Sequence, residues 1–130
     1  MVCQVSADPK GLPWTFRVFG EQHPKVAVSY SNLGGAWIKL GEYQKAIGYF
    51  EKALAIDLKD FGEQHPKVAV SYNNLGLAWT SLCEYQKAID YYKKALAIDL
   101  KVFGEQHPHT QTVKSNLEIL NKDISSSKNQ

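Results

Sequence analysis

The chain says the same thing twice. Residues 19–60 and 61–102 align without a gap, and 33 of the 42 aligned positions are identical. The run FGEQHPKVAVSY opens at Phe19 and again at Phe61, and FGEQHP opens a third time at Phe103. A unit of this length cannot bury an apolar face by itself, so a fixed period of 42 residues predicts a solenoid in which neighbouring units share a core. The duplication also bears on function. A catalytic centre needs particular groups converging on one point, whereas almost every candidate group here occurs two or three times, which argues for a binding scaffold and against an enzyme.

Composition narrows the partners. Fifteen Lys and Arg against 13 Asp and Glu give a formal charge of +2, and the charges are interspersed rather than clustered. No basic footprint for nucleic acid or an anionic membrane results. No apolar run reaches the length of a membrane-spanning helix, and MVCQVSADPK lacks the basic-then-apolar layout of a secretory leader. The expected compartment is the cytoplasm. Cys3 and Cys83 form neither a CxxC pair nor a zinc set, and both read as free thiols.

Each repeat contains two helical stripes. His23-Pro24 and His65-Pro66 look like starts, because Pro suits the first helical position, where its missing N–H would have no partner. Val26, Tyr30, Leu33, Trp37 and Leu40 then follow at helical spacing, until Gly41 breaks the run. A second helix is predicted from Glu42 or Tyr43 to about Asp60, with Ala46, Ile47, Phe50, Ala53, Leu54 and Ile56 on its apolar side. After His107-Pro108 one more helix is expected to about Lys122. There Glu118 and Asn121 replace the Gly and Trp of the earlier units, as suits a terminal helix whose outer face meets water.

The predicted organisation is therefore an irregular segment over 1–18, repeats over 19–60 and 61–102, a capping helix within 103–124, and a disordered tail over 125–130. Pro9, Gly11 and Pro13 forbid a long helix in the first segment, while Trp14, Phe16 and Val18 are apolar enough to fold back over the first repeat as a cap.

The residues Tyr30, Leu33, Gly34, Trp37, Gly41, Tyr43, Ala46, Phe50 and Ala53 resemble the pattern of the tetratricopeptide repeat. The second unit repeats it as Tyr72, Leu75, Gly76, Trp79, Cys83, Tyr85, Ala88, Tyr92 and Ala95. Two departures stand out: the period is 42 rather than the family's usual 34, and Leu58 and Leu100 stand where a Pro is customary. HPKVAVSYSNLG and HPKVAVSYNNLG are similar to the longer variant found in kinesin light chains and related many-repeat proteins. The resemblance implies an all-α, right-handed solenoid of antiparallel helix hairpins and a non-catalytic role in protein–protein interaction. The small residues have a physical reason of their own, since Gly34, Gly76, Ala46, Ala88, Ala53 and Ala95 fall where helices must approach closely.

Four of the nine differences between the repeats, Ser31/Asn73, Gly35/Leu77, Ile38/Thr80 and Lys39/Ser81, fall on one stripe of the first helix. In the family the corresponding stripe lines a peptide-receiving groove, so the sequence varies where a groove would discriminate; alternatively, any exposed stripe drifts. Asn32, Asn74 and Asn116 recur once per unit beside it. Their amides suit either bonding to an extended peptide backbone or fixing the geometry between repeats. A clamp for a C-terminal carboxylate, as in chaperone-binding relatives, is disfavoured by Ser31 and Gly35 at its Lys and Asn positions.

No metal or other cofactor is expected. His23, His65 and His107 lie a full repeat apart, too far to share an ion, His107 with His109 offers only an accidental pair, and a turn role before Pro fits all three period histidines better. GxxxxGK, HExxH and a nucleophile elbow are absent. The leading functional expectation is capture of an uncharged or mildly amphipathic peptide or protein partner. Self-association through the ends of so short an array is the alternative, and an excerpt of a longer array is compatible with both.

Overall fold

The computed structural model describes residues 24–128. Among them are five α-helices and no strand: α1 (Pro24–Lys39), α2 (Tyr43–Phe61), α3 (Pro66–Ser81), α4 (Tyr85–Val102) and α5 (Pro108–Lys128). Each helix packs chiefly on its neighbours in sequence, which is the arrangement of a solenoid. Expectations for residues 1–18, including the cap by Trp14, Phe16 and Val18, lie outside the described residues, as do those for Cys3 and His23.

The repeated FGEQHP is a device for stopping one helix and starting the next. Gly62 and Gly104 both sit at φ 85°, a left-handed conformation that costs glycine little and that no helix continues through. Phe61 stacks on His65 with ring centroids 4.4 Å apart, and Phe103 on His107 at 4.0 Å. The stacked imidazole then caps the new helix: His65 Nδ1 accepts from the Lys67 amide at 3.0 Å, and His107 Nδ1 from the His109 amide at 3.1 Å. Pro66 occupies the opening turn of α3 behind this cap. The turn role anticipated for these histidines thus has a bond behind it.

Within each hairpin the tight turn falls at Gly41 (φ 79°) and at Cys83 (φ 62°). In both, the amide just past that turn reaches back to the tryptophan of the first helix: Glu42 N–H to Trp37 O at 2.9 Å, and Glu84 N–H to Trp79 O at 3.0 Å. Glycine in the first helix is dictated by packing. A Cβ on Gly34 would lie 2.5 Å from the Phe50 ring, and one on Gly76 2.5 Å from the Tyr92 ring.

The core comprises Val26, Tyr30, Ala53 and Ile56 inside the first hairpin, Ala46, Ile47, Phe50, Leu75 and Ala78 between hairpins, and Val68, Ala88, Tyr92, Ala95, Ile98, Val113 and Leu120 beyond. Two sequence expectations shift. Leu40 is 55% exposed rather than buried, and Leu33 is only half-buried, because no described helix lies on that side of α1 as α2 lies on α3. α5 runs on to Lys128, past the expected end and through residues assigned to a disordered tail, since nothing between Asn121 and Lys128 is a Gly or Pro that would stop it.

Candidate protein-interaction face

The first helices of the successive units, α1, α3 and α5, place their stripes side by side. Two shallow hollows mark the seams. One, of about 230 Å³, lies between α1 and α3 and is lined by Val28, Ser31, Lys67 and Val70 over a floor of Asp57 and Ser71. The other, of about 120 Å³, lies along α3 and α5 and is lined by Leu77, Thr80, Asn116, Ile119 and Asp123 with Tyr92 and Leu120 beneath. Ser31 therefore joins one hollow, and Leu77, Thr80 and Asn116 share the other. Asn32, Lys39 and Ser81 are exposed, and Gly35, Ile38, Asn73 and Asn74 are half-buried.

Two of the four stripe differences have partners inside the protein. Asn116 Nδ2 donates to Asn73 Oδ1 at 3.2 Å, a bond from α5 to α3 that the first repeat's Ser31 is too short to copy. At this rung the asparagine of the ladder bonds the neighbouring helix. Thr80 shares the second hollow with Tyr92 and partly offsets the rise that burial gives the Tyr92 phenol, so the change from Ile38 to Thr80 accompanies that from Phe50 to Tyr92 in the core. Thr80 and Ser81 also return their hydroxyls to Gly76 O at 2.8 Å and Leu77 O at 3.1 Å.

Gly35/Leu77 has no such internal explanation. No atom lies within 4 Å of a Cβ built on Gly35, and Leu77 stands 44% exposed. It has company that sequence comparison missed: Val28 (53%), Val70 (43%) and Ile119 (60%) are exposed on the same helices. Val28 and Gly35, Val70 and Leu77, and Thr112 and Ile119 each stand seven residues apart, two turns along one stripe. Val28 and Val70 were hidden because they are identical between repeats and variation was the signal sought. Ile119 was overlooked in a unit read mainly as a cap, yet a large apolar residue on the groove side of a capping helix was the available clue.

The floor of the first hollow is electrostatically active. Asp57 is buried and accepts from Ser71 Oγ at 3.0 Å. Burial raises its carboxyl above the ordinary carboxylate range, a rise that the Ser71 bond and the Lys67 charge only partly counter. Among the described residues no group of His, Cys, Asp or Glu is arranged to hold a metal ion, and no helix is long and apolar enough to cross a membrane.

A family profile described as Tetratricopeptide repeat matches residues 16–59 and 37–101. The chain belongs to the tetratricopeptide repeat family. No curated protein matches it. Among solved structures it is similar to BtubC (BKLC) from P. vanneervenii, at 28% identity and a TM-score of 0.76, covering 85% of this chain and 44% of that one. It is also similar in fold to kinesin light chain-type, nearly identical TPR-like repeats from Podosopora anserina: 22% identity, TM-score 0.72, covering 82% of this chain and 51% of that one. A single-substitution form of the latter gives 22% identity and a TM-score of 0.77, covering 90% and 57%. The chain thus spans about half the length of the structures it matches. The resemblance to kinesin light chain repeats read from HPKVAVSY and NLG is matched in the fold, and the tetratricopeptide repeat is a protein-interaction module whose members are typically non-enzymatic.

Proposed function

We propose that this tetratricopeptide repeat protein captures an apolar segment of a partner protein in the cytoplasm, on the groove formed by α1, α3 and α5. The observation that carries this reading is the row Val28, Val70, Leu77 and Ile119, four exposed apolar side chains on successive first helices. Asn32, Asn74, Ser31 and Ser81 stand beside the row and supply donors and acceptors for a peptide backbone. Lys39 at the edge adds one cation, too little to select an acidic ligand by itself. The test is selection of peptides from a random library on the intact chain, followed by titration against Leu77→Glu. Selected peptides should be rich in apolar residues and lose at least tenfold in affinity for the variant while its helical circular dichroism is unchanged. Peptides that bind Leu77→Glu as well as the parent would place the working surface elsewhere.

A further inference from the structure

The edge that α3 turns toward α2 consists of Ser71, Leu75 and Ala78, continued by Leu82 at the helix end. Leu75 and Ala78 are fully buried there, against Ala46, Ile47 and Phe50 of α2, and Ser71 bonds Asp57. α1 and the residue after it carry the same edge residue for residue, Ser29, Leu33, Ala36 and Leu40, but with Ala36 and Leu40 exposed. The complementary face is also duplicated: Ala46, Ile47, Phe50 and Leu54 of α2 recur on α4 as Ala88, Ile89, Tyr92 and Leu96. On α4 that face is occupied by α5, through Val113, Leu117, Leu120 and Ile124.

α5 is an imperfect occupant. Thr110 stands where α3 has Val68, and its hydroxyl is buried without a hydrogen-bond partner; Asp99 Oδ1 is likewise unpartnered, although Oδ2 meets His109 Nδ1 at 2.6 Å. Val113 replaces the serine that, in the preceding junction, bonds the equivalent aspartate.

We propose that the α1 edge of a second copy of this chain docks on the α4 face and displaces α5, so that copies stack head to tail. The docked α1 reproduces the buried apolar part of the α2–α3 interface with one core change, Phe50 to Tyr92. Release of α5 carries the buried Thr110 hydroxyl into water, where it costs nothing. Because α5 belongs to the same chain it wins when the protein is dilute, and the second copy takes over as concentration rises. The contact joins different surfaces of the two copies and does not close, so the products form an open series. The inference is argued from none of the groove residues, although release of α5 would also take Ile119 from that face.

The test is sedimentation velocity of the intact chain over a concentration series, with hydrogen exchange on the same samples. The weight-average mass should climb with concentration while α5 amides exchange faster. Ala36→Arg, at a position exposed in the single molecule, should hold the mass at that of one chain throughout. Thr110→Val, which improves the resident helix, should move the onset to higher concentration. A parent chain that stays at one mass at every concentration would overturn the proposal. So would growth unaffected by Ala36→Arg, or a dimer in which α5 stays protected.

Discussion

The junction between α2 and α3 and that between α4 and α5 are built on the same receiving face but are closed in different ways. In the first, small residues and one serine do the closing: Ala78 and Leu75 fit against Phe50 and Ile47, and Ser71 satisfies the buried Asp57. In the second, Val113 and Leu120 replace Ser71 and Ala78, the aspartate turns to His109 instead, and a threonine is buried with nothing to bond. The internal junction gains by mutual fit of polar and apolar parts, whereas the terminal one gains bulk and tolerates an unsatisfied hydroxyl.

That contrast can be broken at its most buried point. Leu75→Ala should cost about 2–5 kcal/mol in urea unfolding, as for other fully buried leucines. The identical change at half-exposed Leu33 should cost less than half as much, and equal costs would mean that α1 is covered as fully as α3. Next in size, Thr110→Val should raise stability by about 1 kcal/mol, because it removes an unpaired buried hydroxyl while nearly preserving shape. A loss of stability there would show that the hydroxyl has a partner in solution. Cys83→Gly should also stabilise, by about 1 kcal/mol, since Cys83 holds φ 62° where the first repeat has glycine; a neutral outcome would mean the thiol makes a compensating contact.

The smallest expected effect concerns pH. Asp57 has its pKa raised in the folded state, so below the unfolded carboxylate value both states are protonated and its contribution is fully present. As pH rises through the window between the unfolded and the raised folded value, the unfolded state releases its proton first. Stability therefore falls across that window. Asp57→Asn should flatten this part of the profile of urea midpoint against pH, and an unchanged slope would assign it to other groups.

Much of the fold was legible because it was written twice. Gly41, Gly62 and the His-Pro pairs punctuate helices whose stripes follow a single spacing, and the close approach of Gly34 to Phe50 is what a small residue beside an aromatic one implies. The candidate face was legible only in part. Comparing repeats finds residues that differ, and it picked out Leu77 along with Asn73 and Thr80, whose partners Asn116 and Tyr92 lie on other helices and appear only in three dimensions. It was blind to Val28 and Val70, because residues that serve both units alike leave no contrast between them. The extent of α5 escaped for another reason: a polar tail reads as fraying, yet a helix already anchored by Val113 and Leu120 continues until something stops it.

The near-identity of the edges on α1 and α3, and of the faces on α2 and α4, also bears on how such a chain can change in length. A further 42-residue unit inserted between Asp60 and Phe61 would meet, on each side, the surface that its neighbour had met before. No new interface would need to evolve for the lengthened protein to fold. Loss of a unit would be equally silent at the junctions, leaving the extent of the interaction face as the property on which selection acts.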